Sequence, residues 1–186
     1  MNSSTTSGVE RARQVLRTWH IAECLVAVVA FSFIALIIML DVAGREILGR
    51  LTLWLNIDIG PTGVFYAQRL SVLALVIGAY AGIGIATASG SHLRPRLGDH
   101  WAPAHWDAAM NRIADLFTGL FLVGATIVAI LFVAESIDKV ERTMVLDWVV
   151  WPFQAFIAAG FLSAALRYFI FAAYPELRPV PPETQE

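Results

Sequence analysis

The residues best suited to binding a cofactor are four histidines and one cysteine, in a chain of 186 residues. A haem inside a helical bundle needs two histidines that face each other within the bundle. The histidines are His20, His92, His100 and His105. None of them lies inside a long apolar stretch, but His20 and His92 each lie at the end of a different stretch, on the same predicted side of the membrane. A haem site would therefore have to be shallow, and the lone Cys24 excludes an intramolecular disulfide.

Other chemistry-bearing patterns are missing from the sequence. It contains no zinc-ligand spacing, no glycine loop for phosphates and no nucleophile triad. Ionisable residues at mid-depth usually mark an ion or solute pathway in membranes, and here the most polar groups of the apolar stretches are Tyr80 and Gln154. We therefore expect no enzymatic activity and predict no catalytic, cofactor, metal or substrate-binding residue. Nothing points to nucleic acid either.

The elements that must position these residues are membrane helices. The chain is 58% hydrophobic and 15% charged, against about 25% charged in an average soluble protein. The uncharged stretches are Cys24–Leu40, Leu70–Ser91, Leu116–Ala134 and Trp148–Leu166. Each has a length close to the roughly 20 residues that a helix needs to cross the hydrocarbon. Since backbone groups in lipid must be paired within the segment, these stretches predict helices.

The predicted fold class is an all-α integral membrane protein with four transmembrane helices and amphipathic interfacial segments. The spans lie near 21–45, 66–90, 110–135 and 148–172, inside a membrane domain at 19–174. Residues 1–18 form an N-terminal segment, and the proline-rich residues 175–186 form a disordered tail. Pro103 starts an amphipathic helix that continues into the third span, with an apolar stripe at Trp106, Met110, Ile113 and Phe117.

The orientation follows from the distribution of lysine and arginine. One side of the membrane would hold eight of them: Arg11, Arg13, Arg17, Arg94, Arg96, Arg112, Arg167 and Arg178. The other side would hold five: Arg45, Arg50, Arg69, Lys139 and Arg142. Positive charge favours the cytoplasmic side. Both termini are therefore predicted to be cytoplasmic.

The strongest packing signal is a strip of small residues in the second span. The strip is Ala74, Gly78, Gly82, Ala86 and Gly90, one small residue at every fourth position. Small residues allow the backbones of two membrane helices to approach closely. The strip predicts either packing within the four-helix unit or docking to a separate membrane subunit, and the pattern fits both.

Three motifs in this order resemble a known family over roughly residues 20–172. The first span ends in Gly44-Arg45-Glu46-Ile47-Leu48-Gly49, the second contains Gly78-Ala79, and the second closes with Ala88-Ser89-Gly90-Ser91-His92-Leu93-Arg94. This arrangement resembles the small, DctQ-type membrane subunit of tripartite ATP-independent periplasmic (TRAP) transporters. The span entrance Tyr66-Ala67-Gln68-Arg69 departs from the acidic pair that family members often carry there.

The resemblance implies an accessory role in the bacterial cytoplasmic (inner) membrane. In that family a large multispanning subunit holds the substrate and sodium sites, and a periplasmic binding protein captures the solute, usually an organic acid. The small subunit braces the large one and carries no cofactor, and its surroundings are lipid. The candidate contacts with a partner or with lipid, besides the small-residue strip, are Arg45, Arg69, His92, Arg94, Arg96 and Trp106. The alternatives are a haem-carrying or other membrane anchor of a redox enzyme, and a self-contained small exporter.

Overall fold

The computed structural model describes residues 3–55, 60, 62–90, 107–143 and 147–179. Within these ranges the chain is built from five α-helices: α1 Ser3–Ala43, α2 Gly49–Leu55, α3 Ala67–Ala88, α4 Asp107–Asp138 and α5 Trp151–Ala173. A π-helical turn joins α1 to α2, and a short 3-10 helix follows α5. The described part of the chain contains no β-strand, only an isolated bridge between Arg142 and Val149.

Four of these helical segments are long and apolar enough to cross a membrane: α1 with its continuation, α3, α4 and α5. The predicted all-α fold with four spans is confirmed. The first helix begins much earlier than the predicted span near residue 21, because helix runs without a break from Ser3. Residues 9–20 contain no glycine or proline, so nothing in their sequence interrupts a helix that extends backwards from the apolar stretch.

The spanning helices pack in the order α1, α3, α5, α4 rather than in the order of the sequence. The two inner helices, α3 and α5, each have two extensive neighbours, and the outer helices each have one. The chain itself buries only 22% of the most apolar window of α1 and of α4, and 33% of that of α5. Most of the apolar surface of the spans is therefore left for lipid or for another protein.

The tightest core lies between α4 and α5. Ala164 and Ala165 are fully buried and pack with Leu122 from α4. Small side chains at these positions bring the two helices close together, which is how helices commonly associate in lipid. Large side chains such as Phe161 and Phe169 fill the space around this contact.

The predicted long helix leading into the third span is α4, and its predicted start at Pro103 lies outside the described residues. Ile113 and Phe117, two residues of the predicted apolar stripe, do not face the core of the chain, whereas Met110 is half-buried and Trp106 lies outside the described residues. Ile113 is 65% exposed and Phe117 is 73% exposed, whereas Asp115 between them is buried. Ile113 and Phe117 therefore lie on a surface for lipid or a partner, and the side facing the chain carries a charge.

Residues 139–150 connect α4 to α5, and the structure describes them except for residues 144–146. Val140 and Asp147 both have positive φ angles, and Arg142 forms an ion pair with Asp147 at 2.8 Å. At the start of this connection, Lys139 Nζ donates a hydrogen bond of 2.6 Å to Glu135 Oε1 in the last turn of α4. This bond, together with the charge of the Glu135 carboxylate, raises the pKa of Lys139 above its ordinary value.

Candidate partner-binding site

The Gly44–Gly49 motif forms the π-helical turn at the end of the first span. The backbone N–H of Gly49 donates to the carbonyl oxygen of Gly44, five residues earlier. Such turns are uncommon and frequently occur at functional sites. A side chain at Gly44 would overlap the backbone of Thr62, so the absence of one lets the segment before α3 lie directly against the turn. We call this end of the molecule the π-turn end.

Asp41 and Arg45 form an ion pair one turn apart at the π-turn end. Arg45 Nε donates to Asp41 Oδ1 at 3.2 Å, and its Nη2 bonds the other carboxylate oxygen. The Asp41 side chain is 11% exposed and that of Arg45 is 65% exposed. The pair therefore holds the guanidinium in place while leaving much of it accessible. Arg69, in the first turn of α3, is also exposed.

A groove of about 490 Å³ runs between α1 and α3 from this ion pair toward the middle of the membrane helices. Its polar end is lined by Asp41, Arg45 and Gln68, and its apolar end by residues such as Ile34 and Leu75. We call it the π-turn groove. A groove with a polar end and an apolar body matches a helix that enters the membrane from the interface.

The small-residue strip of the second span does not lie on one face. Ala74 and Gly78 are buried against α1, and a side chain at Gly78 would lie 3.1 Å from Phe31. At Gly82, in contrast, no atom of the described residues lies within 4 Å of the position of a Cβ, apart from the neighbouring backbone of α3 itself. A spacing of four residues advances about 40° around a helix with 3.6 residues per turn. The strip therefore rotates from the α1 contact toward the outside.

The outward side of α3 is made of exposed residues and open glycine. Val72 is 55% and Leu75 49% exposed, Gln68 and Ala79 are exposed, and Gly82 faces open space. We call these residues the outer α3 face. Ala86, farther along, is half-buried. The last residue of the strip, Gly90, has φ +70° just beyond the end of α3 and lies next to Pro179.

The remaining interface candidates, His92, Arg94, Arg96 and Trp106, lie outside the described residues. Of the eleven candidates, the structure brings Arg45 near the outer α3 face, and it assigns Ala74 and Gly78 to internal packing. The histidines proposed as a shallow haem site are also divided. Only His20 is described, with Nε2 3.6 Å from Cys24 Sγ, while His92 is not. Among the described residues no group of three His, Cys, Asp or Glu side chains is placed to hold a metal ion.

A buried ion pair between the first and fourth spans was missed by sequence reasoning. Arg167 Nη2 lies 2.5 Å from Glu23 Oε2, and Ser163 Oγ donates to the other oxygen of the same carboxylate. The Arg167 side chain is 1% exposed, and its guanidinium carbon lies 5.9 Å from the centre of the Trp19 ring. The spans therefore do contain paired charges, one residue beyond the limits of the uncharged stretches.

Gly84 of α3 makes this pairing possible. The carboxylate of Glu23 lies where a Cβ at Gly84 would be. Because glycine has no side chain, Glu23 reaches past α3 to Ser163 and Arg167 on α5. Ser163 and Arg167 are four residues apart and hence on the same helix face, and this spacing could have indicated a polar site on α5. The sequence around them does not indicate that Glu23 is their partner.

A second missed ion pair anchors the start of the C-terminal segment. Arg178 pairs with Asp115 of α4, and its Nη2 also donates to the carbonyl oxygen of Asn111 at 3.0 Å. The Asp115 side chain is 3% exposed. Disorder is predicted for residues 175–186, but the first five of them, 175–179, have a defined place in the fold. Residues 180–186 lie outside the described part.

One comparison with known proteins identifies a family. The family model described as "Tripartite ATP-independent periplasmic transporters, DctQ component" matches residues 34–175. This range begins within the first span and ends just after α5, so it includes the π-helical turn, the outer α3 face and Arg167. No curated protein and no solved structure matches the chain.

Proposed function

The chain belongs to the family of DctQ components of tripartite ATP-independent periplasmic transporters, and on that premise we propose that it supports a large membrane subunit that carries the transport pathway. In this proposal the large subunit holds the solute and sodium sites. A periplasmic binding protein delivers the solute, an organic acid. The chain itself is a multi-pass protein of the bacterial inner membrane and acts as a scaffold.

The use of the buried charges supports a scaffold role. Among the described residues, the carboxylates of Glu23, Asp41 and Asp115 are nearly buried, and each is paired with an arginine. Two of these pairs join separate parts of the chain, α1 to α5 and α4 to the C-terminal segment. In this proposal the paired charges connect parts of the fold. Because they already have partners, the charges that bind and couple the solute belong to another subunit.

The observation that carries the docking proposal is the contrast between Gly78 and Gly82. The first is packed against α1, and the second, one turn along, faces open space beside exposed Ala79. Lipid chains do not need small residues on a helix surface, whereas a helix of another protein gains close backbone contact at them. We assign the outer α3 face and the π-turn groove, with Arg45 at its polar end, to the large subunit.

Replacing Gly82 by leucine is expected to reduce the amount of large subunit that co-purifies with this chain by roughly tenfold or more, the effect of an overpacked contact. A Cβ at Gly82 would have open space around it within the described part of the chain, so we expect the fold to tolerate the larger side chain. The measurement is quantitative mass spectrometry of the complex after mild-detergent purification.

Gly124 of α4 provides a matched control, since it is also a glycine of a spanning helix with open space at its Cβ. Gly124→Leu makes the same chemical change on α4, an outer helix of the row that has α5 and not α3 as its extensive neighbour, and should leave the yield of the complex unchanged. Docking at the outer α3 face would be contradicted if Gly82→Leu gave the full yield of the complex. It would also be contradicted if Gly124→Leu lowered that yield and Gly82→Leu did not.

We also propose that the end carrying Arg13, Arg17, Arg167 and Arg178, the arginine end, is cytoplasmic. In a Cys24→Ser background, a cysteine at Lys139 should react in intact spheroplasts with a maleimide that cannot cross membranes. A cysteine at Glu176 should react only after the membrane is opened. The reverse pattern would place the termini outside. Both positions are exposed, so reactivity reports their side of the membrane.

A further inference from the structure

A cavity of about 280 Å³ lies at the arginine end, where α1, the end of α3, α5 and the 3-10 helix meet. Its polar lining consists of Arg13, Arg17, His20, Arg167 and Glu176. Apolar side chains, among them Phe171 of α5, complete the wall. Arg13, Arg17 and His20 are three or four residues apart on α1 and hence share one face of that helix.

The charges around the cavity are strongly asymmetric. Three guanidinium groups line it, against the single carboxylate of Glu176. Glu23 lies behind Arg167 and pairs with its Nη2. Among the described residues Glu176 is not within ion-pair distance of any of the three arginines. The cavity therefore presents an excess of positive charge.

Two of the lining residues each have a buried nitrogen atom without a hydrogen-bond partner in the described part of the chain. These atoms are Nε of Arg167, whose residue is 1% exposed, and Nδ1 of His20. Buried polar atoms in folded proteins are nearly always hydrogen-bonded. Since the arginine Nε can only donate, this atom needs an acceptor that the described part of the chain does not provide.

We propose that this cavity binds a phosphate group. Arginine is the side chain best suited to phosphate, because its planar donors match pairs of phosphate oxygens and its charge is permanent. The cavity opens one turn before the apolar stretch that begins at Cys24, which is the level of lipid headgroups. Basic clusters at this level bind anionic phospholipids, and the apolar wall offers a path for an acyl chain. The phosphate is that of an anionic lipid or a free phosphate.

The test uses the full-length chain and native mass spectrometry, with dioleoyl-phosphatidylglycerol or dioleoyl-phosphatidylcholine added in mild detergent. Retention of phosphatidylglycerol should fall roughly tenfold or more in the double variant Arg13→Gln/Arg17→Gln, as expected for losing charge-assisted hydrogen bonds. Arg167 is left intact because its pairing with Glu23 holds α1 to α5. The matched control is Arg11→Gln/Arg112→Gln, which removes two exposed positive charges that do not line the cavity.

A second measurement distinguishes the source of the phosphate. Thermal stability of the same proteins is followed while inorganic phosphate is titrated at constant ionic strength. Phosphatidylglycerol retention that only the cavity variant loses supports a lipid headgroup. Saturable stabilisation by inorganic phosphate that only the cavity variant loses supports a free phosphate. If neither ligand distinguishes the cavity variant from the control variant, the proposal is wrong.

Discussion

Replacing Glu23 by alanine is expected to destabilise the folded chain by about 3–5 kcal/mol, the usual cost of leaving a buried charge without its partner. The Arg167 side chain is 1% exposed and its Nη2 donates to Glu23. Without the carboxylate, this guanidinium would be held among packed helices with no opposite charge. The measurement is the thermal midpoint of the purified chain in mild detergent, followed by the loss of the monodisperse peak in size-exclusion chromatography.

Two further variants separate this effect from a general loss of charge. Glu46→Ala removes an exposed partner of Arg50, whose pairing at 2.8 Å leaves both side chains mostly in contact with solvent, and should cost less than about 1 kcal/mol. The double variant Glu23→Ala/Arg167→Leu removes both buried charges and should be more stable than Glu23→Ala alone. Equal midpoints for Glu23→Ala and Glu46→Ala would show that the buried pair does not hold α1 to α5.

Replacing Gly160 by alanine is expected to have the second largest effect, a loss of about 1–3 kcal/mol from overpacking. A Cβ at this position would lie 2.7 Å from the carbonyl oxygen of Tyr80 and 2.9 Å from its Cβ. The first of these is a backbone atom of α3, which cannot rotate away as a side chain can. The helices α3 and α5, the two inner helices of the row, would have to move apart. The same thermal measurement reports the change.

Gly124→Ala is the control for this prediction, and its effect should have the opposite sign. The Cβ at Gly124 meets nothing within 4 Å, so the substitution gains only the helix propensity of alanine, up to about 1 kcal/mol. A midpoint of Gly160→Ala equal to or above that of the unmodified chain would mean that α3 and α5 are not in close contact at Tyr80. Because the outer α3 face is on one of these helices, its position depends on that contact.

The four spans and their helical form could be predicted from the sequence because the free energy of inserting a helix is a sum over the residues of one local stretch. The stretch at Leu70–Ser91 and the helix α3 at Ala67–Ala88 agree in this way. The family resemblance also depended on local motifs in a fixed order, and the family match over residues 34–175 confirms it. Such features require no knowledge of which helices are neighbours.

The division of the small-residue strip required the tertiary structure. Spacing alone predicted close packing at Gly78 and Gly82, but it fitted an internal contact and an external one equally. The rotation of α3 relative to α1 decided that Gly78 meets Phe31 and that Gly82 faces outward. Rotation of a helix about its axis is set by its neighbours, and apolar residues all around a membrane helix leave no amphipathic pattern from which to infer it.

The buried charges show the same limit most clearly. Glu23 and Arg167 border their apolar stretches and, from the sequence, are typical of interfacial anchors. They are 144 positions apart, and only the order α1, α3, α5 and the missing side chain at Gly84 bring them together. Sequence therefore determined what each segment is, since that depends on local transfer free energies. Tertiary structure decided which polar groups are buried and with whom they pair, since that depends on the packing and register of distant helices.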